Sequence, residues 1–428
     1  MNQNKEHLTQ LQSKHRAFEA LKVPSFPIFV GTFVLTMMAD NVEHVISYWV
    51  AFQKFHSPAL GGFAVISHWL PYLLFSVGVG ALNDRFDSRR LIQIGAALFM
   101  TVSIGWGYFF VTDTLTIPFA MMLLVLHGVA GVFWLISSQV LLYDIVGAEK
   151  LASAVRLNAT ARYFGVLVGP GVGSLIMSTL GPSWGIFFNS MLYLPLIIWL
   201  INAPYGHRAK RLDQSATRSV RGFADIWQTI LAVKAIPSLG IMVLLSGIAS
   251  FFIGNSYQAQ MPGFATDLGN IEPGVVYSML LGADAAGALV AGITLEVGLR
   301  FTRVTPSAAM GFALAWALSL ASFALTRTYS LALMLLFVAG FCELSFSSMN
   351  QTIVQMKAPD QIRGKVLGLF SMSSSGLRIF SGVFVGLAGS RIGIHFSLFG
   401  AALTFVAAVL CLLVFSSWQG GRSEALSG

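Results

Sequence analysis

Charge is scarce in this sequence. Aspartate, glutamate, lysine and arginine together supply 10% of the 428 residues, against 55% that are hydrophobic, which leaves too little polar surface to cover a soluble core of that size. Cysteine is scarcer still. The two present, Cys342 and Cys411, both fall inside apolar runs, which argues against a disulfide framework or a cysteine metal site. There is no Gly-Lys-Ser phosphate loop, so direct ATP coupling within this chain is not expected. No Ser/His/Asp or Cys/His set falls where a topology would unite it, so an enzyme is not expected either, nor a cofactor. The opening stretch, MNQNKEHLTQLQSKHRAFEALK, lacks the apolar core and small-residue cleavage site of a secretory leader, so the first membrane segment should act as an uncleaved signal. The ten-residue alternating strands of a transmembrane barrel are missing too.

What is present is a series of apolar runs of about twenty residues or more, the length a helix needs to cross a bilayer. Reading them against their breaks places spans near residues 25–49, 59–82, 91–111, 117–145, 154–180, 184–203, 237–261, 273–298, 304–326, 329–356, 364–390 and 393–417. The expected fold class is therefore an all-α polytopic membrane protein with twelve transmembrane helices. The only long polar connection, with Arg208, Lys210, Arg211, Arg218, Arg221 and Lys234, divides the chain into a bundle over 1–203, a linker over 204–236 and a second bundle over 237–428. In the linker, Phe223, Ile226, Trp227, Ile230 and Leu231 recur at helical spacing, as in an amphipathic helix lying on the membrane surface or simply an anchored linker.

Most lysines and arginines fall at the termini or in loops after even-numbered spans, with Lys54, Arg327 and Arg391 the exceptions. Basic loops stay on the cytoplasmic side, so both termini should be cytoplasmic. The net charge of +8 is accounted for by that topology, and nucleic-acid binding is not expected. An internal repeat supports the division into halves. The stretch from Gly147 runs parallel to that from Ala358, aligning Val155 with Val366, Gly165 with Gly376 and Gly171 with Gly382. Two parallel halves are a known transporter plan, with the substrate site between them at midplane.

Ionisable groups inside spans are costly and mark function. Here they are Asp40, Glu43 and His44 in span one, His68 in two, His127 in four, Arg162 in five, Asp284 in eight, Glu343 in ten and Arg378 in eleven. Spans three, six, nine and twelve carry none in their interiors, as expected if the other eight line a central polar cavity. Asp40, Glu43 and His44 share one helical face; so close together, their proton affinities should interact. They could carry coupling protons or bind substrate, or form a structural network paired with Arg162 or Arg378. The arginines could bind an anionic substrate group or neutralise those acids. The same first-half acids and histidines also suit a divalent transition metal, although no compact ligand spacing marks any residue as a metal ligand.

The stretch GALNDRFDSRR resembles the loop between helices two and three of the major facilitator superfamily, G-x-L-a-D-R-x-G-R-R-R. Gly80, Leu82, Asp84, Arg85, Arg89 and Arg90 match, while Asp87 and Ser88 depart. That variant, together with the Ala39–Asp40 pair and PDQIRGKVLGL before span eleven, is similar to the bacterial branch of enterobactin and macrolide exporters. GVLVGPGVGS resembles the superfamily's antiporter pattern at Gly165, Gly169, Pro170 and Gly173, departing at Ser174; such glycines should let helix five pack closely against a neighbour in the second half. His127 stands where many members place an arginine. The resemblance implies the major facilitator fold, two pseudo-symmetric six-helix bundles. It also implies a conformational latch, with Asp84 facing the positive N-terminal end of helix eleven near Gly364, and Arg85 or Arg89 reaching Asp144.

The function expected on these grounds is secondary active export of a small organic molecule, such as a siderophore or drug-like compound, in exchange for protons, by a monomer in the bacterial inner membrane. A divalent metal exporter on the same fold is the alternative. A non-transporting receptor or scaffold is a third reading, which would be expected to bring a large soluble extension.

Overall fold

The computed structural model describes residues 17–205, 223–254, 256–268, 273–298 and 303–425. All regular structure among them is helical, as backbone in lipid requires. The linker arginines and lysine from Arg208 to Arg221 lie outside the described residues. The first helices are α1 (Phe26–Phe55), α2 (Pro58–Asn83) and α3 (Ser88–Thr112). Ser57 caps α2 by accepting from the Leu60 amide, with Pro58 preset for the first turn. Asp87 caps α3 through the Arg89 amide.

One helical run, Ile117–Met191, is broken at Gly147 (φ 70°) and Gly181 (φ 73°), left-handed conformations that glycine adopts without steric penalty. The breaks divide it into α4 (117–146), α5 (148–180) and α6 (182–191), and α6 resumes as Leu194–Asn202. Then follow α7 (Phe223–Lys234), α8 (Pro237–Phe252), α9 (Ser256–Leu268), α10 (Pro273–Val297), α11 (Pro306–Leu325), α12 (Tyr329–Lys357), α13 (Arg363–Ser371), α14 (Arg378–Ile392) and α15 (Ile394–Ala425). Among the described residues eight stretches, with Ile117–Asn202 counted as one, are long and apolar enough to cross a membrane.

These segments coincide with the expected spans, with two differences. Span seven is divided into α8 and α9 beside Gly254 (φ 40°). Span eleven is interrupted by a π-helical turn, Met372–Gly376, where the serine run offers weak helix propensity. The helix expected in the linker is α7; Trp227 and Leu231 are exposed on it, while Thr229 and Val233 are buried, so it presents an apolar edge outward.

The chain forms two compact units. One comprises Phe18–Val233 with Gln355–Met372; the other is built on Lys234–Val354 and Ser373–Gly428. The first turns of span eleven thus group with the first half, and the chain passes between units within the π-helical turn.

In the first unit two of the apolar clusters of the core meet along α1. One gathers Phe29, Phe33, Phe99, Trp134 and Tyr193, with Phe33 stacked on Trp134 at 4.7 Å and Phe99 on Tyr193 at 5.3 Å between ring centroids. The other gathers Ile46, Trp106, Leu123 and Ile186. Along α1, Met37 and Ala39 belong to the first cluster, Val42 and Ile46 to the second. Asp40 and Glu43 therefore sit at the seam between them.

Candidate functional site

Glu43 projects from α1 into that seam and is 2% exposed. An uncompensated carboxylate there would cost several kcal/mol, and the surrounding helices supply partners. Ser103 on α3 donates to Oε2, and His127 Nδ1 on α4 lies 2.7 Å from Oε1. Behind Ser103, Asn189 on α6 donates to its hydroxyl at 3.4 Å. The other edge of the His127 ring faces α1 again: Nε2 is 2.9 Å from Asp40 Oδ1. His44 Nδ1 lies 3.8 Å from Asp40 Oδ2.

His68 on α2 closes the group, its ring centroid 5.1 Å from that of His44 and 5.6 Å from that of His127. Trp69 stands 4.6 Å from His68, and Phe99 4.9 Å from His127. Three helices thus bring three imidazoles and two carboxylates together between apolar walls. Such a group can hold a proton, a cation, or a polar group of a ligand.

The ion pairs of this group are made with histidine and not with Arg162. Among the described residues Arg162 makes no ion pair; its guanidinium lies 5.4 Å from the ring of its neighbour Tyr163. Arg378, in the other unit, donates from Nε to the carbonyl of Ser374 across the π-helical turn. The negative charges of α1 are met by histidine and hydroxyl groups.

In the second unit, α9, α10 and α12 meet at a second acidic site. The Tyr257 hydroxyl lies 3.1 Å from Asp284 Oδ2 and 3.2 Å from Glu343 Oε2. All three side chains are buried. Gly287 and Gly340 permit the approach, since a Cβ at either would collide with the backbone of the facing helix at Phe337 or Asp284.

The glycines of α5 correct one expectation. They pack against α1 of the same unit, rather than a neighbour in the second half. A Cβ at Gly165 would meet Met37 Cβ at 2.6 Å, one at Gly169 would meet Asn41 Cβ at 2.5 Å, and one at Gly173 would come within 3.2 Å of Val42 Cα. Spacing by four aligns these glycines in one groove, and Met37, Asn41 and Val45 make the matching row on α1. Pro170 lies on the helix between Gly169 and the exposed side.

At the α2–α3 loop, Asp84 Oδ1 accepts from the Gly364 amide at 2.5 Å and Oδ2 from the Lys365 amide at 3.0 Å. Its carboxylate therefore caps α13, where the helix dipole favours negative charge. Gly80 and Gly364 lie backbone to backbone, and Gly368 lies against the carbonyl of Ser76. Asp84 lies outside the spans. Burial pushes its carboxyl up to about 7, against the opposing pull of the Lys365 and Gly364 amides and the Lys365 and Arg363 charges.

Arg89 lies on Asp87, with Nη2–Oδ2 at 2.6 Å, and donates to the carbonyl of Ala203. This pairing was not anticipated from sequence: Asp87 is two residues away and already fixed as the α3 cap. Arg85 makes no ion pair among the described residues, and exposed Arg90 bonds Gln93. Asp144 adjoins Tyr143, whose ring carries the Arg363 guanidinium at 3.5 Å. Arg363 also pairs with Asp360 at 2.6 Å.

Sequence reading missed several participants. Ser103, Asn189 and Tyr257 carry no charge and so gave no signal inside a span. His395 was missed as well. Its ring lies between the Ala324 carbonyl (Nδ1, 2.7 Å) and Asp267 (Nε2, 3.0 Å), with Arg327 Nη1 at 3.3 Å, joining the ends of α9, α11 and α15.

Fold and site together define the class as a major facilitator superfamily transporter, and not an enzyme. Within that class, residues 17–425 match the family described as "Transmembrane secretion effector", and the chain belongs to it. It is 22% identical over 401 residues to macrolide efflux protein A of Streptococcus pyogenes, covering 92% of this chain and 96% of that protein. It is 21% identical over 297 residues to the enterobactin exporter EntS of Salmonella choleraesuis, covering 68% of each. Among solved structures, the fucose:proton symporter FucP in its outward conformation superposes with a TM-score of 0.73 at 12% identity, over 92% of this chain and 98% of that one; this likeness establishes the fold.

Proposed function

We propose that this chain is a secondary active exporter that moves a small amphipathic organic molecule out of the bacterial cytoplasm in exchange for protons. Efflux of macrolides and of enterobactin by its relatives supports the direction and the substrate class. The observation that carries proton coupling is the Asp40–His127–Glu43 network: an imidazole between two carboxylates holds a proton well, and loses that hold when either carboxylate turns to another cation. The Asp284–Tyr257–Glu343 group is a second proton-holding arrangement, since two acids face one hydroxyl that can donate fully to only one of them.

In this reading Asp84 is a latch. It binds the first turn of α13, and the π-helical turn at the other end of α13 is where the chain passes to the second unit; π-helical turns recur at functional sites. Forming and releasing the cap would bias an alternating-access equilibrium without touching substrate. Both termini would face the cytoplasm.

Proteoliposomes with an imposed pH gradient test the proposal. A labelled macrolide or catecholate siderophore should move against its own gradient when protons flow the other way. Flux indifferent to the pH gradient would end the proton-coupling reading.

A further inference from the structure

The network proposed to hold a proton also has the groups to hold a metal cation. Glu43 accepts from Nδ1 of His127, and Glu43 is itself held by Ser103. In the neutral ring with its hydrogen on Nδ1, the Nε2 lone pair is directed toward Asp40. Asp40 Oδ1 lies 2.9 Å from Nε2. A lone pair and a carboxylate oxygen at that separation are held together by a shared cation, a proton or a metal ion.

One ligand atom from each of His44, His68 and His127 falls within 4.8 Å of the others, and the Asp40 carboxylate reaches both His127 and His44. We propose that His44, His68, His127 and Asp40 form a binding site for a borderline divalent transition-metal ion of the zinc class. Three imidazoles and one carboxylate supply the ligand number and type such an ion takes in a tetrahedral shell. Ligand atoms of that shell stand about 3.4 Å apart for bonds of about 2.1 Å. From separations of up to 4.8 Å the ligand atoms need to close in by up to about 1.4 Å, within reach of a small rotation in each side chain.

The chain Asn189–Ser103–Glu43–His127 is the support such a site requires. A metal-binding histidine has its second nitrogen fixed by a carboxylate, which sets the tautomer and raises ligand basicity. Mg²⁺ and Ca²⁺ prefer oxygen shells and are excluded by three nitrogens. The ligands come from α1, α2 and α4, which is why no compact spacing in the sequence shows them.

The experiment uses the full-length chain in detergent with no histidine tag. Zn²⁺ binding is followed by calorimetry, and Co²⁺ binding by its visible absorption. One ion per chain is expected, with the intense Co²⁺ bands of tetrahedral coordination and no competition from Mg²⁺. His44→Gln and His68→Gln should each weaken Zn²⁺ binding at least tenfold. X-ray absorption at the zinc edge of the unaltered protein keeps the test independent of variant folding, and multiple scattering from imidazole is expected.

A shell of oxygen alone, no stoichiometric Zn²⁺, or an affinity unchanged in both variants would overturn the site. These measurements involve no transport. Their failure leaves proton-coupled export standing, and failure of the flux assay leaves the metal measurement readable.

Discussion

Glu43 accepts on both oxygens from two different helices, so its substitution separates charge from shape. Glu43→Gln keeps the volume and removes the charge that orients His127. Transport driven by a pH gradient should fall at least tenfold, while downhill exchange of substrate in the same liposomes is retained. Ser103→Ala leaves Oε2 without its donor and should cost about 1–3 kcal/mol of stability, read as a lower unfolding midpoint in detergent. Tyr257→Phe removes the hydroxyl between Asp284 and Glu343 and nothing else of similar size. The pH profile of transport should shift while the fold is kept, and an unchanged profile would remove that acidic pair from the coupling scheme. Asp40, Glu43 and His44 were legible as one face because a helix places positions three and four apart together. Ser103 and Asn189 were not, since a neutral polar residue in a span is ordinary until a charge is seen beside it.

At the scale of elements, the contact between α1 and α5 depends on glycine at every fourth position. Gly169→Ala forces a Cβ to within 2.5 Å of Asn41 Cβ and displaces the helix that carries Asp40 and Glu43. Overpacking of this kind costs about 1–3 kcal/mol. Gly171 on the same helix has nothing within 4 Å of its Cβ position, so Gly171→Ala should be neutral or stabilising by up to about 1 kcal/mol. Thermal unfolding of both variants checks the pair, and equal effects would mean that the glycine row does not set the packing. The glycine and proline pattern was readable in the sequence, but the identity of the neighbour was not. A small-residue groove states that something approaches closely, and only the arrangement of helices shows that it is α1.

At the scale of the whole molecule, the Asp84 contact carries a pH dependence with a definite sign. A hydrated aspartate titrates near 4, whereas burial brings Asp84 to about 7. Between these values the packed arrangement holds a proton that a hydrated Asp84 has released. The contact is therefore strongest at the acid end, weakens as pH rises from about 4 toward 7, and levels off above. After correction for intrinsic exchange, the Gly364 and Lys365 amides should lose hydrogen-exchange protection over that window. Asp84→Asn should flatten the dependence. Protection that grows with pH would reverse the assignment and make the ionised cap the stable form.

The sequence by itself determined the membrane class, the helix positions and the loop motif. Each of these is local: an apolar run must form a helix in lipid, and a basic loop must stay out of it. It also determined that spans one, eight and ten carry acids whose burial demands partners. Tertiary structure alone decided who those partners are: histidines from α2 and α4 and a serine from α3 for Asp40 and Glu43, one tyrosine for Asp284 and Glu343, and α13 for Asp84. The reason is physical. A desolvated charge specifies that it must be answered, but residues distant in the chain become neighbours only when the helices pack, and that packing is set by the whole molecule.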